Sequence, residues 1–193
     1  MEGVEKLERD LVVLEAMAAE MDEYLRSDVL FWPLSGSGDL PRLTLGGYLM
    51  RQHRLLELRD LLDMEEQERL HAAIAQYHDA LEEKVVRLEK KAHEELEARR
   101  RQWREYLRDA ERGAGISYYP SAVETRDMIE ALIAQMRVSP YQLQPEIPQK
   151  LALLDRQLRR HWQPGDFIWP PEWQPAYPSE EYWWLFGHPK KRE

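Results

Sequence analysis

Apolar residues recur at helical spacing along most of the chain, and the longest such run, residues 64–112, contains neither Gly nor Pro. Within this run the pattern repeats every eleven residues, as in the row formed by Leu70, Leu81, Ala92 and Trp103. An eleven-residue repeat completes three turns at about 3.67 residues per turn, so the apolar stripe stays on one face of a nearly straight helix. The sequence therefore predicts one uninterrupted helix over 64–112, on the order of 70 Å long.

Shorter helices are predicted on both sides of this long helix. They cover residues 4–25, 44–62, 121–138 and about 147–162. Asp63 followed by Glu66 matches a capping box, which predicts a turn between the second helix and the long one. Because no Gly or Pro occurs in residues 48–112, one continuous helix is the alternative. Ser121 followed by Glu124 matches the same capping pattern and predicts the start of the fourth helix.

The first helix carries apolar residues at alternating steps of three and four from Val4 to Leu25. This spacing is typical of a heptad seam, and the polar face of the helix is acidic. One interpretation is that the seam packs on the long helix or on the second helix. The alternative is that it pairs with its copy in another chain.

The composition changes at the Pro164–Gly165 pair, which is typical of a turn. Residues 163–193 contain six prolines and eight aromatic residues. Frequent proline favours extended backbone, and Ser179 is predicted to cap a short helix over 180–186. The segment is interpreted either as a strap lying over the helices or as an exposed recognition segment. The candidate partner-binding residues are Trp169, Trp173, Tyr177, Tyr182, Trp183, Trp184 and Phe186.

The predicted fold class is therefore all-α. We expect an elongated, coiled-coil-like helical bundle with about five helices organised on the long helix 64–112. Residues 1–162 are predicted to form this bundle, and residues 163–193 an irregular, Pro- and Trp-rich C-terminal segment.

The charge of the chain argues against some classes of partner. There are 36 acidic and 27 basic residues, which give a formal net charge of -9. A net negative charge opposes general attraction to nucleic acid and to anionic membranes. The chain has no Cys, which excludes disulfides and thiolate sites, and it has no apolar run of the roughly 18 residues that span a bilayer. We expect a cytoplasmic protein without membrane contact.

A helical metal site is one possible source of chemistry. Glu68 and His71 have the three-residue spacing with which helical bundles present a carboxylate and an imidazole to a di-metal site. Such a site needs a second pair and further carboxylates, and both residues lie beside the apolar stripe instead of within it. Ordinary solvated helix faces explain the same spacing, so no metal and no other cofactor is predicted.

A basic patch near the end of the long helix is a second candidate site. Its residues are Arg99, Arg100, Arg101, Arg104 and Arg108. Arginines beside Trp103 and Tyr106 have the composition with which proteins hold single-stranded nucleic acid. Glutamates and aspartates at neighbouring helical positions neutralise much of this charge.

The sequence contains none of the usual nucleophile or phosphate-binding motifs. It favours a non-catalytic helical scaffold or adaptor that acts through protein–protein interaction, with no small-molecule substrate evident. Self-association is predicted because the four shorter helices must cover an apolar stripe of nearly 50 residues on the long helix. The first alternative is a helical metalloprotein with hydrolytic or redox activity at Glu68 and His71. The second is a nucleic-acid-binding protein that uses residues 99–112.

Overall fold

The structure, a computed structural model, describes residues 2–36 and 39–190 of the chain. In this part the chain forms helices joined by turns, with one small two-stranded antiparallel sheet near the C-terminus. The helices are α1 (Glu2–Arg26), α2 (Leu45–Glu57), α3 (Met64–Leu81), α4 (Val85–Glu111), α5 (Tyr119–Ala122), α6 (Glu124–Met136) and α7 (Glu146–Arg160). The strands of this sheet are β1 (Trp162–Phe167) and β2 (Phe186–Pro189). The prediction of an all-α protein is confirmed.

The prediction of one uninterrupted helix over 64–112 is wrong. The chain leaves the helix after Leu81 and enters α4 at Val85, and Glu83 between them has a left-handed backbone with φ of 60°. Neighbouring side chains hold the break against the end of α1, since Lys84 pairs with Asp22 at 2.7 Å. Arg87 also donates to the carbonyl oxygen of Arg26, one of the groups that the end of α1 leaves unpaired.

The break removes the main argument for self-association. That argument required a single apolar stripe too long for the remaining helices to cover. In the structure α1 covers α3, and α6 and α7 pack on α4, so residues such as Leu70, Tyr77 and Leu96 are buried within one chain. Self-association stays a prediction, without this support.

The heptad seam of α1 packs inside the chain, as the first interpretation of it predicted. Leu7, Leu11, Leu14 and Met21 are fully buried, and α1 contacts α3 and α2. Arg69 of α3 forms two hydrogen bonds with the Glu15 carboxylate at 2.9 and 2.7 Å.

The turn at Asp63 is confirmed. Its carboxylate accepts from the Glu66 backbone N–H at 2.8 Å, and the Glu66 carboxylate accepts from the Asp63 backbone N–H at 2.9 Å. These reciprocal bonds satisfy donors that the start of α3 would otherwise leave unpaired. The turn separates α3 from α2 and frees α2 to pack on α1, α4 and α6.

The predicted N-cap at Ser121 is wrong. Ser121 lies inside the short helix α5, and Val123 precedes α6 without a side-chain hydrogen bond to it. Pro120 explains the difference, because proline favours the first turn of a helix and starts α5 before the predicted cap.

The C-terminal segment lies on the helices. Trp173 donates to the carbonyl oxygen of Gly3 in α1 at 2.8 Å, and Trp169 donates to that of Pro120 at 2.8 Å. The predicted helix over 180–186 is wrong, since only residues 183–185 form a single 3₁₀ turn. The pairing of β1 with β2 was not predicted. The predicted segments 1–162 and 163–193 also include Met1, residues 37–38 and residues 191–193, which lie outside the described residues.

Within residues 2–36 and 39–190, no helix is both long and apolar enough to cross a bilayer.

The left-handed backbone at Glu83 can be tested by introducing glycine. A residue other than glycine loses about 1–2 kcal/mol in this conformation, so we expect Glu83→Gly to raise the free energy of unfolding by about 0.5–1 kcal/mol. The matched control is Glu82→Gly, where φ is -53°; glycine there should lower stability by a similar amount. If urea unfolding showed both variants about 1 kcal/mol less stable, a continuous helix would be the better description.

Candidate functional site

A groove runs along the surface between α2 and α6 and ends at Tyr182 of the C-terminal segment. Its volume is about 280 Å³. Its lining residues are Leu49, Met50, Gln52, His53, Leu56, Asp127, Glu130, Ala131, Ala134, Gln135, Val138 and Tyr182. Most of the accessible surface of the lining is apolar. The polar side chains lie mainly towards the end that Tyr182 closes.

The helical spacing of the lining gives the groove its shape. On α6 the lining residues recur at steps of three and four from Asp127 to Val138, so they form one stripe about 17 Å long that continues just past the helix end. Ala131 and Ala134 have small side chains, so the middle of this stripe projects little into the groove. On α2, Leu49, His53 and Leu56 form the facing stripe. Two facing stripes, one of which has small residues at its centre, resemble the grooves that receive a third helix.

The start of α2 lies close to α6 and α4 because residue 46 is glycine. A Cβ atom there would lie 2.7 Å from Oε1 of Glu95 and 3.1 Å from a methyl group of Leu132. The Gly46 backbone N–H donates to the buried Glu95 carboxylate at 2.9 Å. An anion at the start of a helix is favoured by the free N–H groups there. The atoms that approach Gly46 most closely therefore belong to the side chains of Glu95 and Leu132.

The Tyr182 end of the groove is acidic. Burial raises the pKa of the Tyr182 hydroxyl, and the nearby carboxyl groups raise it further. These groups belong to Asp127, Glu130, Glu181 and Glu57. Glu57 and Glu181 are exposed, whereas Glu130 forms an ion pair with Arg126 at 2.9 Å. A positively charged group is therefore favoured at this end.

His53 joins the groove to the C-terminal segment. Its Nε2 atom lies 3.0 Å from the carbonyl oxygen of Ala176 and 3.4 Å from the hydroxyl of Tyr182. Because a carbonyl oxygen only accepts, Nε2 must carry the hydrogen. The His53 ring also stacks near the ring of Tyr182, with centroids 5.8 Å apart.

A buried cluster around Arg54 lies beside the groove. The guanidinium donates to Asp10 at 2.6 Å and to the Tyr177 hydroxyl at 3.0 Å. The Trp173 and Trp169 rings lie 3.9 and 5.0 Å from its central carbon. Arg54 Nη2 has no hydrogen-bond partner among the described residues. Aromatic faces stabilise a desolvated cation, so the two indoles supply much of its environment.

Tyr177 links this cluster to Asp127 on α6. Its hydroxyl donates to Asp127 Oδ2 at 3.2 Å. Burial raises the pKa of Asp127 to about 7, although Arg54 and the Tyr177 hydrogen bond lower it. The carboxyl group is therefore partly protonated near neutral pH, which reduces the unfavourable cost of a buried charge.

The groove is lined by polar groups of few kinds. Its polar groups are carboxyl groups, two amides, one imidazole and one phenol. Among the described lining residues, none is Ser, Thr, Cys or Lys. The Nε2 hydrogen of His53 points to a carbonyl oxygen, which leaves that nitrogen unable to act as a base.

The candidate partner-binding residues of the C-terminal segment differ in how deeply they are buried. Trp169, Trp173, Tyr177 and Trp184 are buried against the helices, so a partner could reach them only after the segment detached. Tyr182, Trp183 and Phe186 are half-buried. Only Tyr182 lines the groove. A partner-binding role for the seven residues stays a prediction.

The candidate basic patch is divided between internal contacts and the surface. Arg99 donates to the Glu95 carboxylate and to Thr44 Oγ1, both at 3.2 Å, and Arg100 pairs with Glu97 at 2.6 Å. Arg104 is half-buried, and Arg101 and Arg108 are exposed. Nucleic-acid binding by this patch stays a prediction.

Glu68 and His71 are both exposed on α3. The structure does not bring a second Glu and His pair to them, because His53 lies in the groove and His93 contacts the backbone of Glu89 and Gln144. In the described part of the chain, no group of three or more His, Asp or Glu side chains is placed to hold a metal ion.

The sequence did not reveal the groove or the Arg54 cluster. One signal was available, because Arg51 and Arg54 fall within the wide apolar arc of α2, where covered positions are expected. Arg51 donates to Asp10 at 3.1 Å, so both arginines are used inside the bundle. Asp127 gave no such signal, since an acidic residue in the first turn of a helix is usual.

Comparison with protein-family models, with curated protein sequences and with solved structures finds no match to this chain.

Removing the buried guanidinium should destabilise the protein strongly. Arg54→Ala leaves Asp10 buried without its closest cation and opens a space beneath two indoles, so we expect a loss of about 3–5 kcal/mol in the free energy of unfolding. Arg59→Ala is the matched control, because Arg59 is exposed, and its cost should be within about 0.5 kcal/mol. Urea unfolding followed by tryptophan fluorescence measures both. Equal stability of the two variants would contradict the assigned role of Arg54.

The raised pKa of Asp127 predicts how the free energy of unfolding depends on pH. Its pKa is about 7 in the folded protein and near 3.8 when exposed, so between these values the folded state holds a proton that the unfolded state has released. Stability contributed by this group is therefore greatest below pH 4 and falls as pH rises, with a slope approaching 1.4 kcal/mol per pH unit. We expect Asp127→Asn to remove this slope when unfolding is measured from pH 4 to 8. Parallel curves for the two proteins would contradict the assignment.

Proposed function

We propose that the protein is a non-catalytic interaction module that binds a helix of a protein partner in the groove between α2 and α6. The observation that carries the proposal is the pair of facing helical stripes, with Ala131 and Ala134 in the middle of the α6 stripe and an acidic end at Tyr182. A helix that fits such a groove presents apolar residues at steps of three and four.

The charge of the groove indicates which helix it would accept. Glu57 and Glu181 are exposed at the acidic end, and their carboxylates favour a Lys or Arg on the bound helix. The exposed Leu56 and Val138 provide apolar contacts along the walls, with 37% and 59% of their surfaces accessible. The proposed partner is thus an amphipathic helix with a basic end.

The proposed location of this activity is the cytoplasm, as the composition of the chain suggests. A scaffold or adaptor role follows if the bound helix belongs to another protein. The C-terminal segment supports the same proposal, because its Tyr182 lines one end of the groove.

Selection from a library of helical peptides tests the proposal without a known partner. We expect selection of 15-residue displayed helices on the immobilised protein to enrich apolar residues at positions i, i+3 or i+4, and i+7, with Lys or Arg near one end. Ala134→Trp fills the groove and should weaken a selected peptide at least about tenfold in fluorescence anisotropy, which is about 1.4 kcal/mol.

The matched control is Ala72→Trp, which places the same side chain on the exposed face of α3. It should leave binding of the selected peptide unchanged. If no helix is enriched, or if the enriched peptides bind the Ala134→Trp and wild-type proteins equally, the groove is not the binding site.

A further inference from the structure

The outer face of α7 complements the groove. Leu153 is exposed to 57% of its surface, and Arg156 and Arg160 follow it at steps of three and four. All three therefore lie on one stripe that points away from the helices beneath α7. This stripe combines one exposed apolar residue with two arginines, whose positive charge the acidic end of the groove favours.

Neither arginine of this stripe forms an ion pair within residues 2–36 and 39–190. The ion pairs found among the described residues include neither Arg156 nor Arg160, and both are exposed. Their neighbours Asp155 and Arg159 differ in this respect. Asp155 accepts two hydrogen bonds from Arg126 at 3.0 Å, and Arg159 lies 3.7 Å from the centre of the Trp183 ring.

The distance from the apolar residue to the charged end also agrees between the two surfaces. Arg160 lies about 10.5 Å beyond Leu153 along α7, and Asp127, at the acidic end of the groove, lies about 10.5 Å from Ala134 along α6. A helix that placed Leu153 beside Ala134 would bring its arginines to the end occupied by Glu57, Glu181 and Tyr182. Glu130 is already paired with Arg126, so the exposed Glu57 and Glu181 are the available partners.

We infer that the groove between α2 and α6 receives the outer face of α7 from a second copy of this chain. The inference rests on the proposed function, for which it names the partner. Both surfaces flank α6, because Arg126 joins α6 to Asp155 of α7 and Glu130 lines the groove. In the proposed dimer each copy places the outer face of its α7 in the groove of the other, while the inner face of α7 stays packed on α4 of its own chain. Such a reciprocal contact has two-fold symmetry.

Two reciprocal contacts bury twice the area of one, which favours a stable dimer. Specific interfaces bury roughly 1,200–2,000 Å² in total. One stripe of about 17 Å on α6 offers only part of this area, and its reciprocal copy doubles it. The contact has an apolar centre at Leu153 with charges around it, so it should weaken as salt rises.

Mass measurement tests the dimer. We expect sedimentation equilibrium at about 50 mM NaCl, where charge interactions are weakly screened, to give twice the chain mass of 23.1 kDa. Leu153→Ser should shift the protein to the monomer mass. Val86→Ser is the matched control, because Val86 is 78% exposed on α4, and it should leave the dimer intact.

A charge exchange distinguishes the proposed contact from other dimers. Arg156→Glu with Arg160→Glu should give monomers, and so should Glu57→Arg with Glu181→Arg. All four substitutions together should restore the dimer, since opposite charges again face each other. As a control, Arg9→Glu with Arg101→Glu makes an equal change of charge on exposed positions of α1 and α4 and should not dissociate it. Circular dichroism confirms that each variant is folded.

The outcomes separate this inference from the proposed function. A wild-type protein that is monomeric, or a dimer that survives reversal of either charge pair, overturns the proposed contact between α7 of one copy and the groove of the other. If helices selected from the library still depend on Ala134 in that case, the groove binds a different partner and the proposed function stands. If selection also fails, both are wrong.

Discussion

The guanidinium of Arg54 lies where α1, α2 and the C-terminal segment meet, and the rest of the structure depends on how it is held. Asp10 neutralises it from α1, while Tyr177 and two tryptophans approach it from the C-terminal segment. A buried charge is strongly unfavourable unless all such partners are in place. The C-terminal segment is therefore an integral part of the helical fold, although its composition differs sharply from that of the helices.

The same contacts shape the groove. Tyr177 extends the cluster to Asp127 on α6, and Ala176 accepts the hydrogen bond that orients His53 on the groove wall. Tyr182, from the same segment, closes one end. The groove therefore exists in this form only while the segment is docked on α2 and α6. Stability of the buried cluster and shape of the proposed binding site are consequently linked through a few aromatic side chains.

Charge is distributed unevenly along the chain, and the fold turns this into complementary surfaces. Residues 1–98 contain 23 acidic and 12 basic residues, whereas residues 99–163 contain 8 acidic and 12 basic ones. Much of the basic excess is exposed on α4 and α7, while the end of the groove is surrounded by carboxyl groups. In the dimer that we propose, opposite charges on separate faces orient the contact between copies and disfavour other arrangements.

The sequence by itself determined the helical class and several helix ends, because these depend on residues within a few positions of each other. The capping box at Asp63 and the left-handed glycines Gly113 and Gly115 after α4 are local signals of this kind. The break at Glu83 has no local signal, since it is held by contacts between α4 and the end of α1. The burial of Arg54 and Asp127 was likewise decided only by the tertiary structure, because their partners lie 44 and 50 positions away in the chain. Only packing brings such distant groups together and determines which polar residues leave the solvent.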